Sequence, residues 1–111
     1  MTEVTAGAFR TVARADMITE GAVVPVYLSD AKLRISITRV GGDLYAFDDL
    51  CTCADDRCPL SGGLITGPVI MCQCHGSEFD VTTGVVKRGP ASRQLTVYAL
   101  KVIDGDVRLQ V

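Results

Sequence analysis

Residues 50–92 read LCTCADDRCPLSGGLITGPVIMCQCHGSEFDVTTGVVKRGPAS. They hold all five cysteines of the chain, its single histidine, three of its four prolines and six of its eleven glycines. A well-packed sheet does not choose that composition, because glycine and proline weaken or interrupt a strand ladder. The stretch reads as two or three loops wrapped around something, with a short hairpin at about 64–71 holding the first cysteine loop against the second.

On either side of it the pattern changes to a period of two. Leu33, Ile35 and Ile37 alternate with Arg34, Ser36 and Thr38, and Val107, Leu109 and Val111 alternate with Arg108 and Gln110. Such alternation predicts half-buried strands. Further strands are expected at 9–13, 22–28, 43–47, 68–71 and 94–103. Pro25 argues for an edge position, since it has no N–H to donate. Gly41-Gly42 and Asp104-Gly105 sit between apolar stretches and supply the positive φ angles of tight hairpin turns. Only residues 16–21 are expected to make a helical turn. Many short strands with such turns predict an all-β chain, a small antiparallel sandwich or barrel.

Composition narrows the function. The chain's 111 residues leave room for one domain, and 48% hydrophobic against 22% charged residues provide a real core. Eleven basic and thirteen acidic residues give a formal charge of −2, without the basic excess that nucleic-acid binding needs. The first 21 residues lack the apolar run of a signal peptide, and no segment approaches the roughly 18 apolar residues of a membrane span. The expected setting is a reducing cytoplasm, where structural disulfides are uncommon and cysteines turn to metal ligation.

Cys51-Thr-Cys53 and Cys72-Gln-Cys74-His75 form two ligand-bearing loops 18 residues apart. Thiolates with an imidazole suit zinc or an iron-sulfur cluster. At these residues the chain resembles the Rieske iron-sulfur family, whose signature is C-x-H, about 15–17 residues, then C-x-x-H. Cys72-x-x-His75 matches the second half, within CHGSEFDVTTG. YAFDD before the first loop, PLSGG after it, RGPA in the third loop and the TVYALKVIDGDV ending are similar to small soluble Rieske ferredoxins, so the resemblance runs the whole length. It implies one Rieske-type domain over 1–111, with a cluster-binding loop subdomain at about 48–92 inserted in the β base.

One departure matters. The first loop has Cys53 where the family has histidine, and His75 is the only imidazole, so the usual two-Cys, two-His ligation cannot form. Aligned forward from YAFDD, the ligands of a [2Fe-2S] cluster become Cys51, Cys53, Cys72 and His75. Aligned backward from PLSGG, Cys53 takes the cysteine place and Asp55 the histidine place. Thiolate suits iron-sulfur iron better than carboxylate, which favours the forward register.

Other roles follow from the same resemblance. Cys58 and Cys74 stand where the respiratory branch of the family bridges its two loops; the alternative is two shielded thiols. Ser77 matches a serine that bonds a cluster sulfide, against an ordinary loop hydroxyl. Phe79 replaces a tyrosine donor of the high-potential branch, which lowers the expected potential. Gly89-Pro90-Ala91 matches a third loop that shields the cluster from solvent, against an ordinary turn. Asp48, Asp49, Asp55 and Asp56 are an acidic group, either solvated or steering a basic redox partner.

Nothing else in the chain looks catalytic. The expected function is therefore that of an electron carrier, not an enzyme. By resemblance it takes one electron from a flavin-dependent reductase to a terminal oxygenase and releases it through His75; a monomer with no nucleic-acid or membrane partner is expected. A structural zinc module with three Cys and one His, or a redox sensor built on the disulfide or the cluster, are the competing classes.

Overall fold

A computed structural model describes residues 9–52 and 58–111. Eleven strands are described: β1 Phe9–Arg14, β2 Val23–Leu28, β3 Leu33–Val40, β4 Asp43–Asp48, β5 Leu64–Thr66, β6 Val69–Met71, β7 Glu78–Asp80, β8 Val86–Arg88, β9 Val97–Tyr98, β10 Leu100–Ile103 and β11 Asp106–Gln110. They pair antiparallel in three sheets, ordered β1-β11-β10, β2-β3-β4-β9 and β5-β6-β7-β8. The all-β antiparallel class expected from the alternating stretches is the observed one.

Local chemistry accounts for the joints. Asp104 and Gly105 both adopt positive φ, 51° and 81°, and turn β10 back onto β11 with Ile103 opposite Asp106, as a two-residue hairpin with left-handed central residues requires. Pro25 lies in β2, the edge of its sheet, opposite Ser36.

The second sheet separates two cores. Ile35, Ile37 and Ala46 are buried with Val107, Leu109, Ile18 and Leu28. The next residue, Phe47, lies in the other core with Cys51, Leu60, Ile70, Cys72, Phe79, Val81, Ala91 and Leu95. Successive side chains of a strand leave on opposite faces, so Ala46 and Phe47 send β4 into both cores.

This two-sided burial corrects the half-buried reading of β3. Ser36 and Thr38 have no exposed surface, because the loop-bearing lobe covers the face that alternation assigned to solvent. Both hydroxyls are satisfied there. Thr38 donates to the Ala22 carbonyl at 2.6 Å and Ser36 to the Asp49 carboxylate at 2.7 Å.

Three other expectations shift. The helical turn is a single 3-10 turn, Ala15–Met17, one residue early and shorter than 16–21. The Arg39 guanidinium takes the Ile18 and Ala15 carbonyls at 2.7 and 2.9 Å, which ties the following chain to β3 in place of further helical bonds. The expected strand at 94–103 is two strands in different sheets, β9 and β10, parted at Ala99. The 50–92 stretch is more ordered than loops alone: besides the expected hairpin, now β5 and β6, it contains β7, β8 and a 3-10 turn at Leu60–Gly62.

Candidate metal centre

The first cysteine loop leaves the end of β4 and is tied at its base. Asp49 donates its amide to the Arg34 carbonyl at 2.8 Å, and its own carbonyl accepts from Leu60 at 2.5 Å. The Cys51 amide donates to the Cys58 carbonyl at 2.9 Å, and Cys51 is fully buried. Of the expected ligands, Cys53 lies outside the described residues, as do Asp55 and Asp56.

The second loop is one tight turn after β6. The Cys72 amide donates to the Ser77 carbonyl at 2.8 Å, and the Gly76 amide donates back to the Cys72 carbonyl at 3.0 Å. This turn buries Cys72 completely and leaves Gln73, Cys74 and His75 exposed. One side of the loop therefore offers a sulfur to the core and the other an imidazole to the surface.

Three further connections hold the loops as a unit. Cys58 and Cys74 form a disulfide between the first and second loops, with Cα atoms 6.3 Å apart. The Cys72 sulfur lies within 4.8 Å of both bridged sulfurs. In the third loop, where the Gly89-Pro90 peptide is cis, the Ala91 amide donates to the Ser77 hydroxyl at 3.0 Å. The Thr52 hydroxyl reaches the Arg93 carbonyl. Ala91 is buried while Pro90 is exposed, so the loop's cover over the second loop comes from the alanine.

The donor chemistry fits a small iron-sulfur cluster. Cys51 and Cys72 sit in the same buried core, and soft sulfur donors with an adjacent imidazole favour iron-sulfur iron over hard cations. Ser77 is fully buried. Its oxygen accepts from Ala91, and among the described residues nothing takes its own proton, so it has a hydrogen bond left to give. Phe79 is buried in β7 between Ile70 and Val86 in register, a core ring with no donor.

The acidic group needs correction. Asp49 has no exposed surface and cannot be a solvated acid or a steering charge. It accepts from the Arg34 guanidinium, from Ser36 at 2.7 Å, and from the Ser61 amide and hydroxyl at 2.7 and 3.1 Å. A buried carboxylate persists only when its oxygens are satisfied in this way. Asp48 is half-buried and, after burial itself, contributes to pushing the Tyr98 phenol above its ordinary pKa. Nothing in their sequence marks Asp49, Thr52 and the Ala91 amide as loop fasteners; the one available signal is an acid placed two residues before Cys51.

Comparison with known proteins agrees with this geometry. The Rieske [2Fe-2S] domain family model matches residues 8–99, and the chain belongs to that family. Its cofactor is a [2Fe-2S] cluster. The chain is 30% identical over 111 residues to the anthranilate 1,2-dioxygenase ferredoxin subunit of Burkholderia cepacia, covering 100% of this chain and 99% of that one. In structure it is similar to a ferredoxin of Sphingomonas yanoikuyae B1, with a TM-score of 0.85 and 25% identity over 94% of this chain and 99% of that chain. It also resembles a chain of the complex of reduced oxygenase and oxidized ferredoxin in carbazole 1,9a-dioxygenase, with a TM-score of 0.81 and 29% identity over 92% of each chain.

Proposed function

We propose that this protein is the ferredoxin of an oxygenase system, an electron carrier and not a catalyst, whose [2Fe-2S] cluster is held by Cys51, Cys53, Cys72 and His75. Bound there, the cluster supplies one-electron redox chemistry. The protein's own residues bury it, orient it and open one side of it. The observation that carries the reading is the split character of the second loop: Cys72 is fully buried while His75, three residues on, is exposed. An anchored sulfur beside an exposed imidazole gives a short path from the core to a docked partner.

The partners follow from the relatives. Matched proteins are ferredoxin components of dioxygenase systems, and one matched chain belongs to a complex with its oxygenase. The reading extends this to a flavin-dependent reductase as donor, a terminal oxygenase as acceptor, and a monomer working in the cytoplasm. It also divides 1–111 into a β base and a cluster-bearing subdomain at about 48–92, supported by the two separate cores.

The test is direct. The purified chain is expected to be brown, to contain two irons and two sulfides, and to pass one electron to an oxidised oxygenase on anaerobic mixing. A colourless protein with one bound zinc overturns the reading.

A further inference from the structure

Asp49 sits where two requirements of the centre meet. Its main chain leads through Leu50 into Cys51, and its carbonyl and side chain hold Leu60 and Ser61, where the same loop returns. One residue therefore closes both ends of the loop that carries Cys51 and Cys53.

Its charge is also unevenly balanced. The Asp49 side chain is 0% exposed, whereas that of its partner Arg34 is 43% exposed. Water screens the guanidinium far more than the carboxylate, since effective dielectric falls steeply from surface to interior. The less screened charge is thus the buried carboxylate, two residues before Cys51 in the chain, and a negative charge opposes the arrival of an electron nearby.

We propose that Asp49 is a positioning residue that locks the first cysteine loop through Ser61, and that its buried charge lowers the reduction potential of the centre, with Arg34 partly offsetting it. This rests on the iron-sulfur reading of the site above.

The test uses the full cluster-loaded chain at neutral pH, with potentials from spectroelectrochemistry and integrity from visible and EPR spectra. Asp49→Asn is expected to raise the reduction equilibrium constant about tenfold, or 59 mV for one electron. Arg34→Gln is expected to move it in the opposite direction, with spectra like the parent's. A purely structural role predicts no such opposition of sign. Ser61→Ala, which leaves all charges in place, is expected to speed loss of the cluster to a chelator about fivefold, the effect of one hydrogen bond.

Shifts of the same sign, or potentials all within twofold of the parent, overturn the charge half; an unchanged release rate in Ser61→Ala overturns the positioning half. If Asp49→Asn takes up no cluster, Arg34→Gln decides, and an unchanged or raised potential there overturns the proposal. A parent protein without an iron-sulfur spectrum refutes the reading of the site instead, so the two failures are distinguishable.

Discussion

Cys58 and Cys74 join the first and second loops through a disulfide across 16 residues of chain, and the sulfur of Cys72 lies within 4.8 Å of both. The bridge therefore fastens the two loops immediately beside Cys72, one of the proposed ligands. Two of five cysteines are consumed, so thiol counting on the unfolded, unreduced, metal-free protein is expected to find three. Five would mean that the bridge does not form.

The same bridge has an energetic signature. Closing a loop of this size in the unfolded chain is worth about 3 kcal/mol. Denaturant titration of the cluster-free protein is expected to show a loss of that order in the Cys58→Ser, Cys74→Ser double variant. An unchanged midpoint and slope would assign loop closure to the hydrogen bonds alone.

Gly84 sits in the turn between β7 and β8, against the chain that leads into β9. Its φ is +86°, and a Cβ there would collide with the Leu95 carbonyl oxygen, while its own carbonyl accepts from the Leu95 amide at 2.8 Å. Gly84→Ala meets both left-handed strain and a backbone clash, and is expected to cost about 3 kcal/mol or more. Gly41, also at positive φ, has open space around its Cβ position. Gly41→Asn is expected to cost less than about 1 kcal/mol, since asparagine tolerates that conformation. Urea midpoints of the two variants provide the comparison.

The strands that sequence made legible are those with one clear face or one clear turn. Val107 and Leu109 alternate with polar neighbours, and the Asp104-Gly105 turn marks their start. Ser36 and Thr38 misled because polar residues in a strand usually face water, and only the tertiary arrangement shows that a second core lies over them. Strands β7 and β8 are three residues each, too short for any period to emerge. At the site, cysteine and histidine spacing marked the two loops that the Cys58–Cys74 disulfide joins. The Asp49 network stayed hidden because Arg34, Ser36 and Ser61 lie 15, 13 and 12 residues away in sequence.

Asp80, at the end of β7, is expected to give the loop-bearing lobe a pH dependence. The Thr82 hydroxyl donates to its carboxylate at 2.6 Å and the Thr82 amide at 2.9 Å. The hydroxyl bond first, with help from the amide and Lys87 against the opposing effect of burial, holds this carboxyl below its ordinary pKa. A depressed folded-state pKa contributes stability that is present above the unfolded value near about 3.9 and lost as pH falls through the folded value. Asp80→Asn is expected to be less stable than the parent at neutral pH, with the gap shrinking below about pH 4. A gap that stays constant from neutral to acid pH would remove Asp80 from the acid response.

The ligand set carries the last prediction, through charge. An oxidised [2Fe-2S] core is doubly positive, so four thiolates make the centre −2, two thiolates with two imidazoles make it 0, and three anionic ligands with one imidazole make it −1. The more negative the centre, the harder it is to reduce. The midpoint is therefore expected between the plant-type value near about −400 mV and the Rieske range beginning near about −150 mV. Phe79, buried and without a donor, offers no hydrogen bond that would raise it. Both registers of the first loop give the same charge, so substitution must separate them. Cys53→Ser is expected to destroy or transform the visible spectrum while Asp55→Ala leaves it intact. The reverse outcome would place the carboxylate of Asp55 on the iron, and a midpoint well above 0 mV would require a second imidazole that this chain, with His75 as its one histidine, does not contain.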